Sequence, residues 1–226
     1  MRKRLAFLLL AIAIACAPPQ RPVAAAPSVN TAETEIAPDA VADTLLADVR
    51  SADPTIVVDL RYATANNFTG APLPGYEANR AFLRREAVSA LARVQRDLRP
   101  RGLALKVFDA YRPVRATLAM VDWTERVHRA DLLKDGYIAS RSRHNLGLAI
   151  DLTLIELSTG QELEMGTSFD TFSAAAHTAN ASGLAAVNRE KLKAAMEAER
   201  FQNYDQEWWH YTFNVPNSVR FDRPIR

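Results

Sequence analysis

The sequence predicts an α+β domain, and three observations carry that prediction. The 226 residues are 48% apolar, enough chain for one sizeable core. Gly and Pro together are few, 8 and 12, and charged residues make up 24%, which excludes a collagen-like, low-complexity or wholly disordered chain. Short β-rich runs also alternate with stretches whose apolar residues recur every three or four positions.

Taken in order, residues 1–15 read as an export signal: Arg2, Lys3 and Arg4 precede an apolar run from Leu5 to Ala15. That run is too short to span a bilayer as a helix. Removing its three positive residues takes the formal charge from +2 to −1, and no Lys/Arg cluster elsewhere suggests a nucleic-acid partner. The run closes on Ala13-Ile14-Ala15-Cys16, which resembles a bacterial lipobox and predicts a lipid on Cys16. Plain secretion after an Ala-x-Ala site is the alternative. Cys16 is the sole cysteine, so the folded part has neither disulfide nor thiol nucleophile, and any metal must be held by His, Asp or Glu.

Residues 16–42, rich in Ala and Pro without an apolar period, read as a tether, and 43–226 as the globular domain. Within it, Ile56–Leu60 predicts a strand and residues 66–74 a loop. Val88, Leu91, Val94 and Leu98 mark an amphipathic helix over 84–98, stopped by Pro100-Arg101-Gly102. Leu103–Asp109 predicts a buried strand, and Pro113 opens a helix running to Val127. A strand over Ala149–Leu154, a helix over Asn188–Arg200 and a strand over Trp208–Phe213 complete the series.

The chemistry is bounded first by what is missing. There is no His-Glu-x-x-His, no Gly-x-Ser-x-Gly, no Ser-x-x-Lys and no Gly-rich phosphate loop. Of the four histidines, His144 lies in Ser142-Arg143-His144-Asn145-Leu146-Gly147-Leu148-Ala149-Ile150-Asp151, and His210 closes Glu207-Trp208-Trp209-His210. Gly147 permits a sharp turn and Ala149 leaves room beside a metal. Two histidines and one carboxylate suit Zn²⁺ and leave a position for water, which the remaining glutamate could deprotonate. Residues i and i+3 of a regular strand face opposite ways, so Glu207 and His210 can share a site only if the strand starts after Glu207 or bulges. Taken alone, Glu-x-x-His is a very weak signal that reads as a surface carboxylate and a half-buried histidine, and the His144–Asp151 motif is a moderate one.

Together these blocks resemble the D-alanyl-D-alanine dipeptidase family, the VanX-like zinc D,D-dipeptidases. The likeness runs from about Asp59 to Phe213. It includes Asp59–Thr64, Asn66–Gly70, Phe108-Asp109-Ala110-Tyr111-Arg112-Pro113, the His144–Leu154 segment, Met165–Asp170 and Glu207–His210. It implies a small α+β domain whose central antiparallel sheet carries one zinc ion per chain, held by His144, Asp151 and His210. Glu207 is then the catalytic base, Arg112 the transition-state cation, and Asp170 the partner of the substrate ammonium. Ser142 either contacts substrate or holds the loop before His144. Without the resemblance, Arg112 reads as a salt-bridge partner of Asp109 and Asp170 as a turn cap. His177 reads as structural and His128 as surface or packing. One departure is Glu199-Arg200, where the family commonly carries Gly.

The implied activity is hydrolysis of D-Ala-D-Ala in cell-wall peptide turnover, by an exported lipoprotein of the bacterial envelope facing the periplasm or the outside. The alternatives are a D,D- or L,D-carboxypeptidase on longer wall peptides, a non-catalytic zinc-containing wall-binding lipoprotein and, for location, a secreted soluble protein.

Overall fold

The computed structural model describes residues 35–226, so the signal segment, Cys16 and most of the expected tether lie outside the described residues. The chain runs through β1 (Ile36–Ala37), α1 (Asp39–Leu45), β2 (Leu46–Asp48), β3 (Val57–Val58), β4 (Phe82–Arg84) and α2 (Arg85–Leu98). It continues through β5 (Leu103–Asp109), α3 (Val114–Arg126), α4 (Asp131–Lys134), β6 (Ala149–Glu156), α5 (Gly183–Ala198), β7 (Gln202–Tyr204), β8 (Glu207–Thr212) and β9 (Arg220–Phe221).

The spacing of Val88, Leu91, Val94 and Leu98 does what it predicts: all four are buried on one face of α2. Gly102, at φ +71°, turns the chain into β5. α3 starts directly after Pro113, whose missing N–H costs nothing at a helix start. α5 begins earlier than expected, at Gly183. Asn188, the expected first residue, lies buried inside the helix, its amide donating to the Glu164 carbonyl at 2.9 Å.

Five strands form the central sheet in the order β3-β5-β6-β8-β7. Pairings are antiparallel except at one edge, where β3 lies parallel to β5, so the sheet is mixed rather than purely antiparallel. A parallel pair needs a crossover connection, and α2 supplies it between β3 and β5. β6 is buried along nearly its whole length, as a middle strand covered on both faces must be. α2 and α5 pack on each other and on the sheet, α5 burying Leu192 and Met196.

The fold takes in residues that read as tether in the sequence. β1 pairs in parallel with β9, Ile36 opposite Arg220 and Ala37 opposite Phe221, and α1 buries Ala42. A two-residue strand and a helix with one buried side chain leave no period to read. Among the described residues no helix is long and apolar enough to cross a membrane.

Candidate metal centre and substrate cavity

The site is built across the middle of the sheet. Antiparallel register sets Asp151 of β6 opposite His210 of β8 on one side and Asp109 of β5 on the other. His144 arrives from a 3₁₀ turn, Arg143–Leu146, which Ser142 caps: its hydroxyl accepts from His144 N–H at 3.2 Å, while its own N–H donates to the Asn145 side chain at 3.4 Å. Asn145 in turn donates to the Arg112 carbonyl and to Thr117 Oγ1, both at 2.9 Å. Gly147 ends the turn at φ +65°, a conformation that favours glycine, and a Cβ there would stand 2.5 Å from Leu46 Cδ2 and displace that side chain.

His144 Nδ1 lies 2.6 Å from the Ala110 carbonyl. A carbonyl only accepts, so this bond places the proton on Nδ1 and leaves the Nε2 lone pair facing the site. Nε2 is 3.2 Å from His210 Nδ1 and 3.4 Å from Asp151 Oδ2; His210 Nδ1 is 2.9 Å from Asp151 Oδ1. Ligands about 2.1 Å from a tetrahedral ion stand roughly 3.4 Å apart, so this donor set fits zinc in both chemistry and spacing. His144, Asp151 and His210 are thus brought together as a group that could hold a metal. Burial alone would raise the Asp151 carboxyl, but the two imidazoles hold it below the ordinary range. Burial lowers His210, keeping it neutral and able to ligate.

Glu207 begins β8, and the strand resolves the facing problem with a bulge. β7 and β8 pair at Asn203–Tyr211 and at Tyr204–Glu207, so Trp208, Trp209 and His210 arch out between two adjacent residues of β7. The arch swings Glu207 to the side of His210, Oε2 to Nδ1 3.7 Å. Glu207 is 8% exposed, and burial, then Asp151 and Asp170, raise its carboxyl well above the usual range against the pull of Arg112.

Arg112 forms the expected salt bridge with Asp109 and also borders the cavity. Its Nε and Nη2 donate to Asp109 Oδ2 at 3.0 and 2.8 Å, and the guanidinium also lines the cavity, with Nη2 4.0 Å from Asp151 Oδ2. Asp109 is fully buried and also accepts from Tyr76 Oη at 2.6 Å. Tyr62 lies under the guanidinium, 5.1 Å from ring centre to Cζ, and donates its hydroxyl to Asp170 at 2.9 Å. Asp170 takes a left-handed backbone, φ +61°, which aspartate tolerates better than most residues. Burial, then Asp151, raise its carboxyl well above the usual range, against Tyr62 and Arg112.

These groups share one cavity of about 390 Å³, walled on its apolar side by Phe68, Phe172, Tyr137 and Trp209, and Ser142 also lines it. His177 stays out of the donor set, with Nε2 3.2 Å from Tyr137 Oη, and His128 is an exposed turn residue beyond α3. Tyr62, Asn145 and Asn203 also shape the site, and sequence reading missed them. Only a neighbour's position in space identifies such residues.

A mixed α+β domain that sets two imidazoles and an aspartate around one point, with a buried glutamate beside them, defines a metal-dependent hydrolase. The model of the D-Ala-D-Ala dipeptidase family, peptidase M15, matches residues 42–220, and the chain belongs to that family. It is 37% identical to a D-alanyl-D-alanine dipeptidase of Enterococcus faecium, over 74% of this chain and 92% of that one. It is 39% identical to one of Enterococcus faecalis, over 68% and 83% of the two chains. It is 32% identical to the Escherichia coli dipeptidase, over 79% and 88%.

Proposed function

We propose that this chain hydrolyses D-Ala-D-Ala and closely related D,D-dipeptides, with one zinc ion held by His144 Nε2, Asp151 and His210 Nδ1. The observation that carries this is one cavity holding three zinc-compatible donors, a separate buried glutamate, and a second carboxyl, Asp170, at the Tyr62 side. Zinc held there would supply an acidified water and polarise the scissile carbonyl. Glu207 takes the water proton and hands it to the leaving amine. Arg112, its charge secured by Asp109, faces the oxyanion as it develops. Asp170 pairs with the free α-ammonium, which distinguishes a dipeptide from a longer peptide. The test is mass-spectrometric product analysis of the zinc-loaded protein with D-Ala-D-Ala, its N-acetyl derivative and a wall pentapeptide. Cleavage of the free dipeptide alone is expected. Release of D-Ala from the pentapeptide, with the dipeptide left intact, makes the enzyme a carboxypeptidase.

We infer that the chain is exported and anchored through a lipid on Cys16, where it meets wall-derived dipeptides. The basic start, short apolar run and Ala-x-Ala-Cys sequence support this reading, and all lie outside the described residues. Cys16→Ser should move the protein from the membrane fraction to the soluble one. An unchanged distribution rejects the lipid.

A further inference from the structure

The arch in β8 has a filler. Between Asn203 and Tyr204 the β7–β8 ladder skips Trp208–His210, so these three residues have no ladder partner on β7. The side-chain amide of Asn203 stands in the gap: Nδ2 donates to the Glu207 carbonyl and to the His210 carbonyl, both at 3.1 Å. Both amide hydrogens are thereby used, one on each foot of the arch. The amide has one orientation, because Thr178 Oγ1 donates to Asn203 Oδ1 at 2.6 Å. Thr178 is itself tied to the hairpin, its N–H donating to the Asp205 carbonyl at 2.9 Å.

We propose that Asn203 is a positioning residue, oriented by Thr178, which clamps the β8 arch and so fixes the base Glu207 and the ligand His210 on the same side of the strand. The proposal rests on the reading of Glu207 as base and His210 as zinc ligand. Its chemistry is that of a side chain bridging the interruption in a ladder. A strand bulged by three residues leaves carbonyls that water or a side chain must satisfy, and a rigid donor fork that reaches both ends also sets the span between them. Spacing from Glu207 to His210 is then held by the chain's own amide before any metal enters.

Asn203→Asp keeps the size and removes both donors, while Thr178→Val leaves the amide in place and removes what orients it. For Asn203→Asp, zinc affinity measured by chelator competition and kcat for D-Ala-D-Ala should each fall about 10–100-fold, as when a ligand loses its supporting partner. KM should change less than kcat, because both donors of the Asn203 amide are spent on carbonyls of the arch. Thr178→Val should move zinc affinity and kcat in the same direction by less. In zinc-free protein, amide hydrogen exchange across residues 208–211 should accelerate in both variants, a readout independent of turnover. If either variant keeps wild-type zinc affinity, kcat and exchange while only its melting temperature drops, Asn203 merely stabilises the hairpin and the proposal is wrong. Should Asn203→Asp fail to fold, Thr178→Val decides alone. A wild-type protein that neither binds zinc nor cleaves the dipeptide overturns the reading of the site itself, whatever the exchange rates show.

Discussion

Burial, then the charges of Asp151 and Asp170, raise the Glu207 carboxyl well above the usual carboxylate range, while burial raises Asp170, which stays hydrogen-bonded to Tyr62. The two carboxyls are therefore separable by kinetics. Glu207→Ala should keep zinc bound and lower kcat by about 10²–10⁴-fold, because a positioned base is lost while the donor set stays whole. A variant that retained most of its kcat would remove Glu207 from that role; metal content by atomic absorption and steady-state rates settle it. Asp170→Ala should act on KM instead. An ammonium left without its charge-assisted partner costs about 1.5–3 kcal/mol, or roughly 10–150-fold in KM for D-Ala-D-Ala. The N-acetyl derivative, poor for the unaltered enzyme, should gain relative to the free dipeptide. If the acetylated compound is cleaved equally well from the start, Asp170 is only a turn residue.

At the scale of elements, the turn that delivers His144 depends on Gly147. Gly147→Ala forces an L-residue to φ +65° and puts a methyl 2.5 Å from Leu46 Cδ2 and 3.3 Å from the Arg84 backbone nitrogen. Left-handed strain and overpacking together should lower stability by roughly 2–4 kcal/mol, read by denaturant unfolding, with a parallel loss of zinc affinity as His144 moves. An unchanged midpoint would show that the turn relaxes freely. Elements with a full period were legible beforehand: α2 from its four apolar positions, and β5, α3, β6 and β8 to within a few residues of their ends. β1, β2, β4, β7 and β9 are two or three residues each, too short for alternation to register. The cluster of His144, Asp151 and His210 was legible because histidine and carboxylate spacing and the family blocks converge on these three residues. The β8 arch was foreseen only as one of two options, and its filler was not, because Asn203 belongs to another strand and carries no motif. Arg200 shows the reverse case. Glycine is expected by resemblance near the end of α5, and Arg200 indeed sits at φ +70°, its guanidinium 5.6 Å over the Phe213 ring.

For the molecule as a whole, three carboxyls in one cavity make stability depend on the metal. In zinc-free protein, Asp170 and Glu207 hold their protons more tightly folded than unfolded, so their contribution is full below the ordinary carboxylate range and is lost as pH rises toward the folded pKa values. His210, lowered by burial, works the other way: unfolded chain takes its proton first as pH falls past the ordinary imidazole value. Asp151, lowered by its imidazoles, loses its contribution only in stronger acid. The raised carboxyls are the groups that should give the zinc-free domain a higher melting temperature at about pH 5 than at about pH 7. With zinc bound, the order should reverse, since protons compete with the metal for the imidazoles. Scanning calorimetry with and without chelator checks both signs, and a zinc-free domain that is more stable at neutral pH would contradict the proposed carboxyl cluster. The pairing of β1 with β9 has a mechanical consequence. Tension on the chain ahead of residue 36 meets first a joint of two residue pairs, then α1 with its single buried alanine, then β2 on the small outer sheet. Such a joint acts as a fuse: two residue pairs part before the longer ladders that hold Asp151 and His210 do.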